Sequence, residues 1–256
     1  MGAAELSDHD AAARARAWRN AEHAAVCDVL DPWAHGTVVR ATRYPSYFAF
    51  NLVRVEEDPA MSVEELMAFA DEALAGLAHR RVDFDLATAA EPMRAAFQAK
   101  GWRDERLLWM RHEAPLPPRI DVAVEEVPYD AVDDLRLAWH REDFPDRDPA
   151  PNFRAQAREV DLLHGARVLA VREGGVAVAF AQLERGGSTA EITQVYVHPE
   201  YRGAGHGTAI TRAAIEAARD VRDLWIVADD EDRPKMLYSR LGFRPAWMTM
   251  EFLRPP

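Results

Sequence analysis

The apolar positions of this chain change their spacing repeatedly, and each change marks an element. Residues 120–127 alternate apolar and polar as a strand does, and 129–139 then place Ala131, Leu135 and Ala138 on one helical face. Residues 143–151 form a polar, proline-bearing loop, and 152–164 a second helix with Asn152 as its expected N-cap. Two strand-like runs, 167–172 and 176–184, flank Gly174-Gly175, a strong hairpin signal. Gly186-Gly187 turns the chain into a strand over 190–197, and a helix over 208–219 follows. A short buried strand is expected at 224–227. The helix at 234–241 has proline in its first turn and Gly242 past its end, and a strand at 243–252 closes the pattern. The predicted order is β-α-α-β-β-β-α-β-α-β, an α/β arrangement with a mixed sheet.

The earlier residues carry a fainter version of the same rhythm. A strand over 47–55 leads into a helix over 62–77, then a short strand at 82–87 and a short helix. That helix ends in F-Q-A-K-G-W (97–102), an echo of Y-S-R-L-G-F (238–243). Between the two parts lies H-E-A-P-L-P-P-R, whose prolines cannot continue a helix or a central strand. The expected division is therefore a first domain at 1–114, a linker at 115–119 and a second domain at 120–256. A different fold for the first part stays open at this stage.

The segment V-Y-V-H-P-E-Y-R-G-A-G-H-G (195–207) carries the chemistry. A strand runs into a glycine-rich turn that opens a helix, so main-chain N–H groups and the positive end of the helix dipole face outward together. Such a turn seats a phosphate or diphosphate, and Arg202 adds a full charge with a fork of donors. No lysine lies in or near the turn, which excludes the P-loop of nucleotide hydrolases. The glycines fall as G-x-G-x-G late in the chain, unlike the dinucleotide fingerprint of a first βα turn.

The spacing R-x-x-G-x-G, here Arg202-Gly203-Ala204-Gly205-His206-Gly207, resembles that of the GNAT superfamily of acyl-CoA-dependent N-acyltransferases. Downstream, L-Y-S-R-L-G-F (237–243) resembles that family's L-Y-x-x-x-G-F motif at about the expected distance. The resemblance implies a GNAT-like fold in two tandem copies, the first degenerate and lacking the carrier loop. The stretch there, E-E-D-P-A-M-S (56–62), has no glycine and three acids, and Phe97 stands where the second copy has Tyr238.

The resemblance also implies an activity: transfer of an acetyl group from acetyl-CoA to a primary amine, by direct attack in a ternary complex. The strand before the glycine turn would splay from its neighbour, so that Val195, Tyr196 and Val197 bind the pantetheine arm and polarise the thioester. The diphosphate contacts fall on Arg202, Gly203, Ala204, Gly205, His206, Gly207 and Thr208. Tyr238 would protonate the departing thiolate, since a phenol titrates near ~10. Glu191 is the candidate base for the amine. Period-2 geometry would put residues 191, 193, 195 and 197 on one face unless a bulge intervenes. Glu142 and Asp143, in the loop between the first two helices of this domain, are rival bases or a site for a cationic substrate. Many relatives carry Asn seven residues before the tyrosine as a carrier contact, and Glu231 stands there instead. Two alternatives remain at this stage, a non-catalytic acyl-CoA-binding regulatory module and a transferase acting on a protein or peptide amine.

Composition narrows the partners. A formal net charge of −12 argues against nucleic acid and is compatible with cationic amines. No apolar run approaches the ~20 residues that span a bilayer, and the acidic N-terminus does not resemble a secretory signal. The single cysteine, Cys27, excludes an internal disulfide and fits a reducing, cytoplasmic setting. It lies in an expected helix as a small core residue. No histidine pair has His-x-x-x-His spacing, so no catalytic metal is expected. A homodimer stays open.

Overall fold

The computed structural model describes residues 3–145 and 152–256. The chain divides into two compact units that interleave along the sequence. Unit 1 is Met1–Trp109, Ala228–Asp232 and Pro245–Pro256; unit 2 is Met110–Val227 and Arg233–Arg244.

Unit 1 runs through α1 (Ala3–Val26), β1 (Val29–Trp33), β2 (Gly36–Arg40), β3 (Asn51–Val55), α2 (Val63–Ala73) and β4 (Arg80–Phe84). Two short helices, α3 (Ala87–Ala90) and α4 (Arg94–Ala99), then lead to β5 (Arg103–His112). The chain's last strand, β11 (Phe243–Arg254), enters this sheet, whose order is β1-β2-β3-β4-β11-β5. The β3–β4 pair is parallel, and β11 pairs antiparallel with β4, Met250 facing Phe84 and Phe252 facing Val82.

The spacing of Val63, Leu66, Ala70 and Leu74 gives α2 one apolar face, buried with Val53, Phe84, Phe97, Met250 and Phe252. Phe97 stacks on Phe252 at 4.1 Å. These contacts carry Pro245–Pro256 into unit 1, so the compact units do not follow the proline-rich stretch. α1 docks by charge: Arg19 donates to Asp83 at 2.5 Å and to Asp85 at 3.1 Å, and both carboxylates are fully buried. The helix stops at Val26. Cys27 lies just beyond it, half-buried, its Sγ 3.6 Å from the Phe50 carbonyl oxygen.

Unit 2 contains β6 (Glu125–Val127), α5 (Asp133–Asp143), α6 (Phe153–Leu163), β7 (Arg167–Glu173), β8 (Val176–Gly186) and β9 (Thr189–Val197). After these come α7 (His206–Ala217), β10 (Asp223–Asp229) and α8 (Pro234–Arg240). Its strands lie in the order β10-β9-β8-β7-β6, antiparallel except for β9 with β10. The mixed α/β order is the expected one. On one face of this sheet, Val132 and Leu135 from the α5 region pack with Val127, Phe180 and Tyr196. α7 buries Ala209, Ile210, Ala214 and Ile215 and lies against β7, β8 and β9.

Three local expectations change. The strand at 120–127 shortens to three residues, because Ile120–Val124 make no ladder. Asn152 takes a left-handed conformation, φ 68°, and its side chain makes no cap bond. The loop expected at 143–151 gives way at its start to α5, which runs through Asp143, and residues 146–151 lie outside the described residues.

Candidate active site

β9 is the strand that shapes the site. Its pairing with β8 matches Glu191 with Glu184, Thr193 with Gln182 and Tyr196 with Phe180. The register shifts between Phe180 and Gln182, and Gln194 sits at φ 51°. β9 therefore carries one extra residue, a β-bulge. Residues 180, 182 and 184 alternate along β8 and share a face, so Glu191, Thr193 and Tyr196 share the matching face of β9. The expectation that 191, 193, 195 and 197 line up is corrected: beyond the bulge, Val195 and Val197 point the other way.

The same strand parts from β10. Their parallel ladder runs from Thr189 and Asp223 to Ile192 and Ile226, while β9 continues to Val197. The parting begins where the bulge does, as expected of a feature that bends its strand and raises its twist. The main chain of residues 193–197 then borders an opening on its β10 side.

At the end of β9 comes the glycine turn. Gly203 and Gly205 have φ of 85° and 86°, where side chains are rarely accommodated. A Cβ built at either would meet nothing within 4 Å, so the outer side of the turn is open. α7 begins at His206 with Gly205 as N-cap, no side-chain cap bond and no acid in its first turn. Its leading N–H groups are therefore not met by a side-chain cap. Ala204 is exposed in the turn and Thr208 lies half-buried in the first helical turn. Gly207 is helical, and a Cβ there would lie 3.5 Å from Leu237 and 3.6 Å from Val197. The end of β9, the start of α7 and the helix bearing Tyr238 therefore meet at Gly207.

Arg202 is engaged on both sides. Its Nε donates to the Val197 carbonyl at 3.0 Å, and its Nη2 donates to both oxygens of Glu142 at 2.7 and 2.8 Å. The Tyr196 hydroxyl also donates to Glu142, at 3.2 Å. Burial, with the Glu142 charge next, pushes the Tyr196 hydroxyl up to about 12. Glu142 and Asp143 thus lie in the last turn of α5, not in a loop, and Glu142 faces the glycine turn. The His206 ring, expected to matter less than its backbone, is buried, its Nε2 3.4 Å from Glu173.

Tyr238 is 5 % exposed on α8, its ring 6.3 Å from Phe243 in an edge-on contact. Glu191 is 6 % exposed on β9, opposite the equally buried Glu184. The structure gathers Arg202, Glu142 and Tyr196 into one group and Val197, Gly207 and the α8 helix into another. Tyr238 and Glu191 stand on different elements. Glu231 is held by Arg94 through two bonds, 2.6 and 2.9 Å, within unit 1.

A buried polar network on the Glu191 face went unread in the sequence. The Tyr129 hydroxyl donates to Asp161 at 2.6 Å, and Gln194 Nε2 donates to the same oxygen at 3.0 Å. Gln182 Nε2 donates to Glu184 at 2.7 Å, and Arg136 donates to Gln182 at 2.9 Å. Burial and then the Glu184 charge hold the Asp161 carboxyl above its ordinary range. The signal was present: Gln182, Glu184, Thr193 and Gln194 interrupt otherwise apolar strands.

Residues 130–243 match the profile of the acetyltransferase (GNAT) family. This stretch is a GNAT domain. An uncharacterised N-acetyltransferase of Methanocaldococcus jannaschii is 36% identical over 69 residues, 25% of this chain. That match spans 30% of the length of the curated relative. A structure of a functionally unknown conserved protein from Staphylococcus epidermidis superposes with a TM-score of 0.65 at 17% identity, covering 90% of this chain and 94% of that one. A tandem GNAT protein from the clavulanic acid biosynthesis pathway superposes with a TM-score of 0.50 at 18% identity, covering 80% and 75%. These likenesses extend the fold well beyond the GNAT domain.

Unit 1 contains a comparable order of strand, turn, helix and parallel strand, β3 to β4, without a corresponding opening. Phe97 and Trp102 meet edge-on at 64°, as Tyr238 and Phe243 do at 63°, and Gly101 and Gly242 both end their helices at positive φ. α2, however, is capped by its own residues. Ser62 N–H donates to Glu65 at 2.8 Å, and Glu65 N–H donates to the Ser62 hydroxyl at 3.3 Å. The β3–β4 ladder reaches Val55, and Asp85 N–H still donates to the Val55 carbonyl at 2.8 Å. Among the described residues, no helix is long and apolar enough to cross a membrane.

Proposed function

We propose that the chain is an N-acetyltransferase that moves an acetyl group from acetyl-CoA to a primary amine of a small molecule, within a ternary complex. The observation that carries this reading is the parting of β9 from β10 beside the uncapped, glycine-led start of α7. An extended arm bearing amides fits the first feature and a diphosphate fits the second. Residues 195–197 and 202–208 are the proposed carrier contacts. Arg202 would turn from Glu142 toward phosphate.

Acetyl-CoA would supply the acyl group as an activated thioester. Main-chain N–H groups at the parted strand favour negative charge on the carbonyl oxygen as the amine attacks. The C–N bond forms as the C–S bond breaks. The amine must arrive neutral, and Glu191, buried beside the bulge, is the proposed acceptor of its proton, directly or through water. Tyr238 donates its hydroxyl proton to the leaving sulfur. Glu142 and Asp143 would sit near a cationic acceptor. Residues 1–114 are proposed to be the degenerate copy, 115–119 a linker and 120–256 the catalytic copy, with no carrier bound in the first. A cytoplasmic setting belongs to the same proposal.

The test is thiol release from acetyl-CoA over a panel of small amines and peptides. Wild type should turn over at least one small amine, and Tyr238→Phe should lose most of its rate at unchanged coenzyme A affinity. Binding without turnover on any amine would replace this reading with a regulatory module. Turnover on peptides alone would move the acceptor to proteins.

A further inference from the structure

Gln194 is placed where glycine would be easier. Its φ of 51° lies in the left-handed region, which residues bearing a Cβ enter at a cost. Its amide is held at both ends. Arg136 Nε donates to Gln194 Oε1 at 3.0 Å, and Gln194 Nε2 donates to Asp161 Oδ2 at 3.0 Å.

The two holders are themselves fixed. Arg136 donates to the Tyr129 carbonyl at 2.8 Å and to Gln182 at 2.9 Å, with its guanidinium 3.8 Å from the Tyr129 ring centre. Asp161 is 1 % exposed and takes the Tyr129 hydroxyl as well. One side chain therefore joins α5 and α6 to the single irregular residue of β9. The next residue, Val195, begins the stretch assigned to the thioester.

We infer that Gln194, gripped by Arg136 and Asp161, is a positioning residue for acyl transfer. The clamp fixes the bulge, and the bulge sets the direction in which the amides of residues 195–197 point. The inference rests on the acetyl-carrier reading above. Were backbone geometry alone responsible, glycine at 194 would serve equally well.

That contrast supplies the test, run on the full chain. Gln194→Gly permits the same φ but removes the clamp, Gln194→Glu keeps the Arg136 partner while setting a carboxylate against Asp161, and Arg136→Ala removes one holder. Each variant should raise the KM for acetyl-CoA by about 10-fold or more, from the loss of one or two buried bonds. The KM for the amine should stay unchanged. A merely destabilised protein would lose active fraction without moving the carrier KM. Hydrogen exchange in carrier-free protein should quicken at 193–198 and stay unchanged at 189–192. If Gln194→Gly keeps both the wild-type KM and the wild-type exchange, the inference falls. If Arg136→Ala fails to fold, Gln194→Gly still decides. Should wild type neither bind nor turn over acetyl-CoA, the functional reading fails, and the exchange comparison alone still supports or overturns the clamp.

Discussion

If Arg202 contacts the carrier's diphosphate as proposed, Glu142 competes for it, and removing the Glu142 charge changes affinity with a definite sign. The two side chains are 49% and 40% exposed, so their pairing is screened despite its short bonds. An exposed ion pair is worth roughly 0–1 kcal/mol. Freeing Arg202 for a phosphate therefore costs at most about 1 kcal/mol, a factor of about 5 in affinity. Glu142→Gln abolishes that cost and a repelling charge together, while its amide oxygen still accepts from Tyr196. The dissociation constant for coenzyme A should fall by up to about 5-fold at ~0.01 M salt. The gain should shrink at ~0.15 M, where the screening length drops from about 30 to about 8 Å. Titration calorimetry at the two salt concentrations, with a melting curve for each protein, measures this. Weaker binding by Glu142→Gln at unchanged stability would refute the reasoning, because Glu142 would then be presenting Arg202 rather than competing for it. The Tyr196 hydroxyl, raised toward 12 partly by that carboxylate, should also titrate lower in the variant, followed by phenolate absorbance.

Gly205→Val should cost about 1–2 kcal/mol of stability from its left-handed backbone and abolish coenzyme A binding, since the new side chain would enter the open side of the turn; retained micromolar affinity would remove the diphosphate from this place. In unit 1, S62G/E65A should lower stability to urea by about 1 kcal/mol and create no second coenzyme A site, and a second site in calorimetry would show that the strand opening is dispensable. His79 is buried, its Nε2 2.9 Å from the Asn51 carbonyl, and burial lowers its pKa to about 4. A depressed histidine contributes stability above the unfolded pKa, near 6.5, and loses it as pH falls toward 4. His79→Gln should therefore flatten the loss between pH 7.5 and 5 by about 2 kcal/mol in urea titrations; an unchanged slope would place the acid sensitivity elsewhere.

The glycine turn and the helix after it were legible because backbone conformation demands particular residues there: positive φ at 203 and 205 selects glycine. The hairpin at Gly174-Gly175 was legible for the same reason, with φ of 57° and 86°. The bulge was not. It is marked by a glutamine, whose left-handed conformation is offset by side-chain bonds to residues 58 and 33 positions away. Period-2 reasoning fails at that one residue and inverts every later side chain. The docking of α1 was hidden too, because its buried face joins two small alanines, Ala11 and Ala15, to Arg19, which is held by buried aspartates. β11 was legible as a strand, but alternation at Met248, Met250 and Phe252 states only that one face is apolar. Which strands it pairs with depends on the residues it meets, Phe84 and Phe97 among them.

The two units finish the same strand, turn and helix differently. Both run a strand into a turn, a helix and a parallel strand. In unit 1 the turn ends at Ser62, and Glu65 returns its carboxylate to the helix start, so the N–H groups of Ser62 and Glu65 are met internally. The strands stay paired to the end of β3. In unit 2 the helix start is uncapped and the strands part after Ile192. A missing cap forgoes about 1 kcal/mol, and an unpaired strand edge forgoes several main-chain bonds. A fold that can satisfy these groups, as unit 1 does with the same elements, has no structural reason to leave them open. The cost in unit 2 is explained if a ligand supplies the acceptors: anionic oxygens at the α7 start and an amide-bearing chain along β9. That both deficits fall on adjoining segments, joined at Gly207 to the helix carrying Tyr238, is the reason to assign them to a single bound molecule rather than to two separate defects.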